Sequence, residues 1–131
     1  MFTPTATGTH TITACFGVIC EDETVTVTPG APIDLVVTPL TATITADETL
    51  ELTANVVDQH GNAVPGQSIT FTPSNGTMGG TFGDIFQPYA VGGQTVTVTW
   101  QTTSIVVNVL VELGAPTTIE LTGCTLSLIH I

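Results

Sequence analysis

The sequence contains no lysine and no arginine, against 11 aspartates and glutamates, and its formal net charge is −11. A chain without a fixed cation cannot neutralise phosphates, which argues against nucleic acid as a partner. An anionic membrane surface is unsuitable for the same reason. Ordinary salt bridges are impossible, so the carboxylates must be spread apart, solvated, screened by salt or bound to metal cations. We expect a saline extracellular setting.

The sequence also lacks an apolar run of transmembrane length and a basic-then-apolar start of the signal-peptide type. We therefore expect no direct membrane insertion by this part of the chain. We expect Met1 to lie inside a longer protein whose signal and anchor are elsewhere. The high charge does not indicate disorder, because mean hydropathy is +0.47 and the apolar residues alternate regularly.

Residue patterns for catalysis are missing. Three histidines are isolated in sequence and do not form a zinc motif, and three serines have no flanking nucleophile-elbow glycines. The histidines are His10, His60 and His130, and the serines are Ser68, Ser74 and Ser104. No pair of carboxylates marks an evident cleft. We predict that the chain is not an enzyme and binds no resident cofactor.

What the sequence does contain is threonine, about a fifth of all residues, together with abundant valine and isoleucine. These β-branched residues favour strands, and no segment is typical of a helix of any length. The clearest strand is 49–57, where apolar and polar residues alternate. We predict about seven short strands in the complete unit, a loop over 73–83 and a tight turn at 92–93. The predicted core is Leu35, Val37, Leu50, Leu52, Ala54, Val56, Ile69, Phe71, Val96, Val98 and Trp100.

The chain resembles itself at a spacing of about 84 residues. Gly30-Ala31-Pro32 recurs as Gly114-Ala115-Pro116. A gap-free comparison also aligns Phe2, Pro4, Ala6, Gly8, Thr11, Thr13, Val25 and Val27 with Phe86, Pro88, Ala90, Gly92, Thr95, Thr97, Val109 and Val111. A repeat of this length in a β-rich chain predicts tandem sandwiches joined by short linkers.

The repeat sets the predicted domain boundaries. Residues 33–113 form a complete all-β, immunoglobulin-like β-sandwich, and residues 1–29 are the C-terminal hairpin of a truncated repeat. Residues 30–32 and 114–116 are linkers, and 117–125 is the first strand of the next repeat. The segment 126–131 is interpreted as a sequencing or cloning scar, with a genuine apolar strand as the alternative.

The sequence does not decide the oxidation state of the three cysteines. Cys15 and Cys20 lie near the two ends of a hairpin loop, where they form a disulfide, remain free thiols or bind a metal. Cys124 is left over, and its partner is expected beyond this part of the protein.

The densest charge run, Glu21-Asp22-Glu23, is predicted to be a solvated loop tip. The alternative is a weak calcium site at a domain end, although no Asp-x-Asp-x-Asn-Gly loop is present.

A turn after the clearest strand carries a family resemblance. Its residues are Asp58, Gly61, Asn62, Val64, Pro65, Gly66 and Phe71. They resemble the bacterial immunoglobulin-like repeats of the invasin and intimin type, also called Big-1, over about 20 residues. The segment 86–92 departs from that family's Thr-Asp-x-x-Gly turn. The resemblance implies a tandem extracellular spacer or adhesive stalk, with neighbouring repeats in the same chain and a surface protein or glycan as partners.

The same turn has a physical explanation. Asp58 and Asn62 can accept hydrogen bonds from nearby backbone amides, while Gly61 and Gly66 supply backbone freedom. Pro65 stiffens the corner. We therefore assign these five residues a structural role.

The alternative function is a carbohydrate- or calcium-dependent binding module that accompanies a surface enzyme. Such a module needs an exposed aromatic platform or a carboxylate cluster. The candidate platform residues are Phe82, Phe86 and Tyr89, and we expect all three to pack inside.

Overall fold

The computed structural model describes residues 1–114, which are all-β and contain no helix. Within that range no helix offers the length and apolarity needed to cross a membrane. The predicted linker residues 115–116, the strand 117–125, Cys124 and the segment 126–131 lie outside the described residues. The strands are β1 (Gly8–Phe16), β2 (Ile19–Val27), β3 (Asp34–Thr38), β4 (Thr41–Thr45), β5 (Leu50–Glu51), β6 (Thr53–Val57), β7 (Thr70–Pro73), β8 (Gly76–Gly79), β9 (Ile85–Pro88), β10 (Gly92–Trp100) and β11 (Thr103–Glu112).

The first two strands form a separate antiparallel hairpin. Nearly all of its residues are exposed, including the apolar side chains of Ile12, Phe16 and Ile19. A two-stranded hairpin has no opposing layer to cover its apolar side chains, so it contributes little burial by itself.

The remaining nine strands form a β-sandwich. One layer is a four-stranded sheet in the order β4-β11-β10-β7. The other layer consists of two small sheets, β3-β6 and β5-β9-β8. They adjoin at Leu52, which separates β5 from β6 and donates its N–H to the Asp84 carbonyl oxygen at 2.9 Å. This order is compatible with the ABED and CFG sheets of an immunoglobulin domain.

The core lies between these layers, and it contains most of the predicted residues. Seven are buried, namely Leu35, Val37, Leu52, Val56, Val96, Val98 and Trp100. Leu50, Ala54, Ile69 and Phe71 are partly buried and pack against them. The predicted core omitted Ile44, Val107, Val109 and Val111, which are also buried.

Two turn predictions in the second half of the sandwich are wrong. The predicted loop 73–83 contains strand β8, which pairs with β9. This pairing uses main-chain hydrogen bonds, so the glycines of β8 do not prevent it. Residues 92–93 are not a tight turn, because β10 begins at Gly92 and Gly92 pairs with Val111. The chain bends at 89–91 instead.

The predicted strand 49–57 is interrupted, since Leu52 leaves one small sheet before β6 joins the other. The prediction that three aromatics pack inside holds for one of them. Phe86 is fully buried, whereas Phe82 is 80% exposed and Tyr89 is 69% exposed. Both exposed rings lie in bends just outside the ends of β9, beyond the reach of the opposing layer.

Candidate functional site

The turn after β6 is organised by the carboxylate of Asp58, which is only 4% exposed. Its Oδ2 accepts the backbone N–H of Gly30 at 2.9 Å. Its Oδ1 accepts the backbone N–H groups of His60 at 2.9 Å and Asn62 at 3.0 Å. The Asn62 side-chain amide donates to both oxygens, at 3.2 and 3.1 Å. A buried carboxylate with this many donors is fully satisfied.

These donors lower the pKa of Asp58 well below its usual range. The largest cause is the N–H of Gly30, and the bonds from Asn62 and His60 add to it, while burial opposes them. Donors that bond the charged form favour that form, so the side chain remains a carboxylate throughout the neutral range.

The rest of the turn is held by its main chain. Asp58 donates its N–H to the Asn62 carbonyl oxygen, and Gly61 donates to the Asp58 carbonyl oxygen, both at 3.0 Å. Gly61 and Gly66 have φ of 82° and 78°, a region that side-chain-bearing residues avoid. Pro65 and Gly66 form the next bend.

The same turn contacts the segment before the sandwich at a second place. Asn62 donates its side-chain N–H to the Thr5 carbonyl oxygen at 2.8 Å, and its Oδ1 accepts the N–H of Thr7 at 3.4 Å. Together with the bond from Gly30, these contacts attach the residues just before β1 and just after β2 to one turn. Residues 1–30 and the Asp58 turn therefore form a joint, and we use that name for it below.

A second carboxylate lies at the other end of the sandwich. Asp47 Oδ1 accepts the Thr45 hydroxyl at 2.6 Å, which lowers the pKa of Asp47. A Cβ added to Gly114 would lie 2.5 Å from the same oxygen. Gly30 and Gly114, which correspond in the repeat, therefore both lie beside an aspartate of the sandwich. The sequence motif predicts linkers at both places and allows Asp47 to approach a junction, but it does not predict the contact of Asp58 with Gly30.

The second and the last strands of the sandwich lie side by side. Strands β4 and β11 pair in parallel, from Thr41 with Asn108 to Thr45 with Glu112. The ladder extends further at both ends, because Asn108 donates to the Leu40 carbonyl oxygen at 3.0 Å and Ala46 to the Glu112 carbonyl oxygen at 2.9 Å. The strand near the start of the sandwich is thus bonded directly to the strand at its end.

The hairpin β1–β2 carries a disulfide between Cys15 and Cys20, with S–S 2.08 Å and Cα–Cα 4.1 Å. The two residues are directly opposite in the register. At the corresponding place in the hairpin β10–β11, the hydroxyls of Thr99 and Ser104 form a hydrogen bond at 3.0 Å.

The correspondence between the two hairpins extends to their full length. Strands β1 and β10 begin at Gly8 and Gly92, 84 positions apart, and the register pairs them with Val27 and Val111. The turns match as well, because Gly17 has φ 61° and Gln101 has φ 51°. The inward apolar residues of β10 are buried, whereas their counterparts in β1 are exposed.

The acidic run Glu21-Asp22-Glu23 was predicted to be a loop tip, and this prediction is wrong because the run lies within β2. The strands extend further than expected, and the bend is at residues 17–18. Because neighbouring residues of a strand point to opposite faces, the three carboxylates do not converge. Asp22 accepts the Thr13 hydroxyl at 2.5 Å. Residues 1–114 contain no group of three His, Cys, Asp or Glu side chains placed to hold a metal ion.

No family model matches the chain, and no curated protein matches it. Two solved structures are similar to it in part. Domains 1–6 of the surface layer protein SbsC are 22% identical with a TM-score of 0.47, covering 84% of this chain and 17% of that one. Domains 4 and 5 of the S-layer protein SbsC are 19% identical with a TM-score of 0.43, covering 80% and 65%. The chain spans less than two thirds of either.

Proposed function

We propose that the chain is a non-catalytic, force-resisting spacer of an extracellular or cell-surface repeat protein. Its units are immunoglobulin-like sandwiches of the invasin and intimin type, arranged in tandem, and its first partners are the neighbouring repeats. A surface protein or a glycan is the further partner at the end of such a stalk.

The parallel pairing of β4 with β11 is the observation that carries this proposal. Tension on a stalk enters the sandwich near residue 33 and leaves near residue 113. Once β3 has separated from β6, this tension pulls β4 toward its N-terminus and β11 toward its C-terminus. Because the strands are parallel, this pull slides one along the other, and all the ladder bonds from Leu40 to Glu112 resist together. A hairpin pulled open at one end would lose its bonds one by one.

The tandem arrangement is supported by the equivalence of the two hairpins. The strands begin at equivalent positions of the repeat, and the two hairpins have the same register and a positive-φ residue at the same place in the turn. Ile12 and Phe16 are exposed, whereas Val96 and Trp100, their counterparts 84 positions later, are buried by the opposing layer of the complete unit. The further strands of a preceding copy would cover Ile12 and Phe16 in the same way.

The cellular setting is supported by the disulfide and by the charge. Disulfides persist in oxidising compartments, which include cell surfaces and the extracellular space. A chain with formal net charge −11 and no cation tolerates its own repulsion best where salt screens it.

The test is single-molecule force spectroscopy on the whole chain, held at its two ends. The sandwich spans about 80 residues, which at roughly 3.6 Å per residue have an extended length of about 290 Å. Its unfolding should release that length less the distance between the two ends of the folded sandwich. Ala42 lies in the β4 ladder between the Leu40 and Ala46 bonds, so Ala42→Pro removes an amide from it. We expect a clear fall in unfolding force.

The matched control is Thr72→Pro, which disturbs β7 at the opposite edge of the same sheet. Both variants should lower Tm, but Thr72→Pro should leave the unfolding force near that of the parent. Equal loss of force in both variants, or no loss in Ala42→Pro, would contradict the proposal.

A second candidate function is the carbohydrate- or calcium-dependent binding module. One observation favours it: the exposed ring of Phe82 borders a depression of about 420 Å³ that Glu51 and Asp84 also line. Aromatic faces and carboxylates are suited to sugar rings and to cations. Calorimetric titration with calcium and with polysaccharides tests this candidate. Saturable heat that Phe82→Ala abolishes and Tyr89→Ala retains would favour it over the spacer.

A further inference from the structure

The outward face of the four-stranded sheet differs from the rest of the surface. It consists of the outward residues in 41–43, 70–72, 95–99 and 104–110, which are threonine, serine, asparagine, valine and leucine. Their neighbours along each strand, such as Val98 and Val107, are buried in the core, so these residues point away from it. We call this surface the neutral face.

No carboxylate of the described residues lies within the neutral face. The carboxylates of residues 1–114 are in the hairpin β1–β2, in the turns beside Gly30 and Gly114, and on the opposite layer. Glu112 is at the margin, where it pairs with Thr45. Since the chain has no lysine or arginine, every other face presents uncompensated negative charge.

The neutral face has exposed apolar groups and a notch. Val106 is 49% and Leu110 48% exposed, and both belong to the second strand of the sheet, β11. Leu110 is paired with Gly93, where an added Cβ would meet no atom within 4 Å. The missing side chain leaves a shallow depression, also bordered by Thr95 and Asn108.

We propose that the neutral face is a self-association surface on which a second copy of this chain packs its own neutral face. Two copies with formal charge −11 repel each other wherever their carboxylates meet. Only the neutral face lets two copies approach without bringing carboxylates of one copy next to those of the other. In a two-fold arrangement, Leu110 of one copy can lie in the notch at Gly93 of the other. The proposal goes beyond the spacer function, since copies can pair whether or not the chain resists force.

The size of the face predicts weak, reversible pairing. The strands β4, β11, β10 and β7 contain 5, 10, 9 and 4 residues. At about 4.8 Å between strands and about 3.4 Å per residue, they cover about 460 Å². Stable interfaces bury about 800 Å² per partner, so the face is smaller than a stable interface requires. Salt should strengthen the pairing, because it screens the repulsion between the remaining charges.

Sedimentation equilibrium tests the proposal on the full chain carrying Cys124→Ser, which removes any cross-link through that thiol. We expect a monomer–dimer equilibrium that tightens between about 0.15 M and about 1 M salt. Val106→Glu should weaken dimerisation by about tenfold or more, because it places like charges in the contact. Val36→Glu is the control: Val36 is 47% exposed on the opposite layer, and the substitution adds the same charge.

Several results would overturn the proposal. One is a monomer at all concentrations up to the millimolar range, and another is equal weakening by Val106→Glu and Val36→Glu. Loss of the dimer in Phe16→Ser alone would assign the contact to the hairpin instead. If Val106→Glu lowers Tm enough to unfold the protein, Leu110→Glu replaces it, with the same expected outcome.

Discussion

Gly30 donates its backbone N–H to Oδ2 of Asp58, 28 positions later in the chain, at 2.9 Å. This bond connects the segment before the sandwich to the turn that follows β6. One buried carboxylate therefore accepts hydrogen bonds both from its own turn and from the segment before the sandwich.

Replacing Asp58 with asparagine should destabilise the joint. The amide keeps one acceptor oxygen, but its NH2 group then faces either the Gly30 N–H or the other donors of the turn. At least one backbone N–H is left without an acceptor, and buried unpaired donors are costly. We expect Tm to fall by at least about 5 °C, measured by calorimetry.

Asp34→Asn is the control for that substitution. This substitution removes the same charge, but the Asp34 carboxylate accepts only the N–H of its neighbour Leu35. Its Tm should remain within about 2 °C of the parent. Similar losses in both variants would mean that net charge, rather than the joint, determines the effect.

Stability should depend on pH through the same carboxylate. The pKa of Asp58 is lowered in the folded state, relative to about 3.9 in the unfolded chain. Its contribution is therefore fully present above the unfolded value and is lost as pH falls from there toward the folded pKa. Protonation of the other carboxylates acts in the opposite direction by reducing repulsion, so the parent alone is not diagnostic.

The informative quantity is the difference in Tm between the parent and Asp58→Asn. We expect this difference to be constant from about pH 7 to about pH 5 and to shrink steadily below about pH 4. A difference that stays constant down to about pH 2.5 would show that ionised Asp58 contributes nothing to folding.

Removing Trp100 should threaten the whole sandwich. The side chain is 6% exposed, and its Nε1–H donates to Gln67 Oε1 at 3.1 Å. Trp100→Ala opens a cavity and leaves Gln67 without this donor, which should cost about 3–5 kcal/mol of unfolding free energy. Tyr89→Ala, at a site 69% exposed, should change it by less than about 0.5 kcal/mol. Urea denaturation measures both, and parent-like unfolding of Trp100→Ala would be decisive against the core assignment.

Gly76 should not tolerate a side chain. It has φ 139°, and an added Cβ would overlap the Gln87 carbonyl oxygen and lie 2.8 Å from Phe86 Cε2. Strain and overlap together should cost about 2–5 kcal/mol in Gly76→Ala. Gly93→Ala has open space and should be neutral or stabilising by up to about 1 kcal/mol. Urea denaturation that ranks the two variants in the reverse order would refute this account.

The strands were predictable where polar and apolar residues alternate, as in 95–99. They were also predictable where the sequence repeat aligns one hairpin with the other. The inward face of β11 was not predictable, because Ile105, Val106 and Val107 are all apolar and no alternation separates core from surface. Strand β8 was hidden for a different reason. Glycines carry no side-chain pattern, and the pairing of Gly76–Gly79 depends on main-chain bonds to β9.

The candidate site was predictable only in its local part. The spacing of Asp58, Gly61 and Asn62 predicts a turn, because those residue types bond within a few positions of themselves. The partner Gly30 is 28 residues away, and no local pattern connects it to Asp58. The parallel contact of β4 with β11 likewise depends on how the chain crosses between layers, which short-range periodicity does not encode.

The place occupied by Cys15 and Cys20 in one hairpin is occupied by Thr99 and Ser104 in the other. The same backbone ladder thus accepts either a covalent crosslink or a reversible hydroxyl contact, with no change in register. Reducing agents would therefore act on one hairpin and leave its counterpart untouched, which makes oxidation state a property of the individual hairpin.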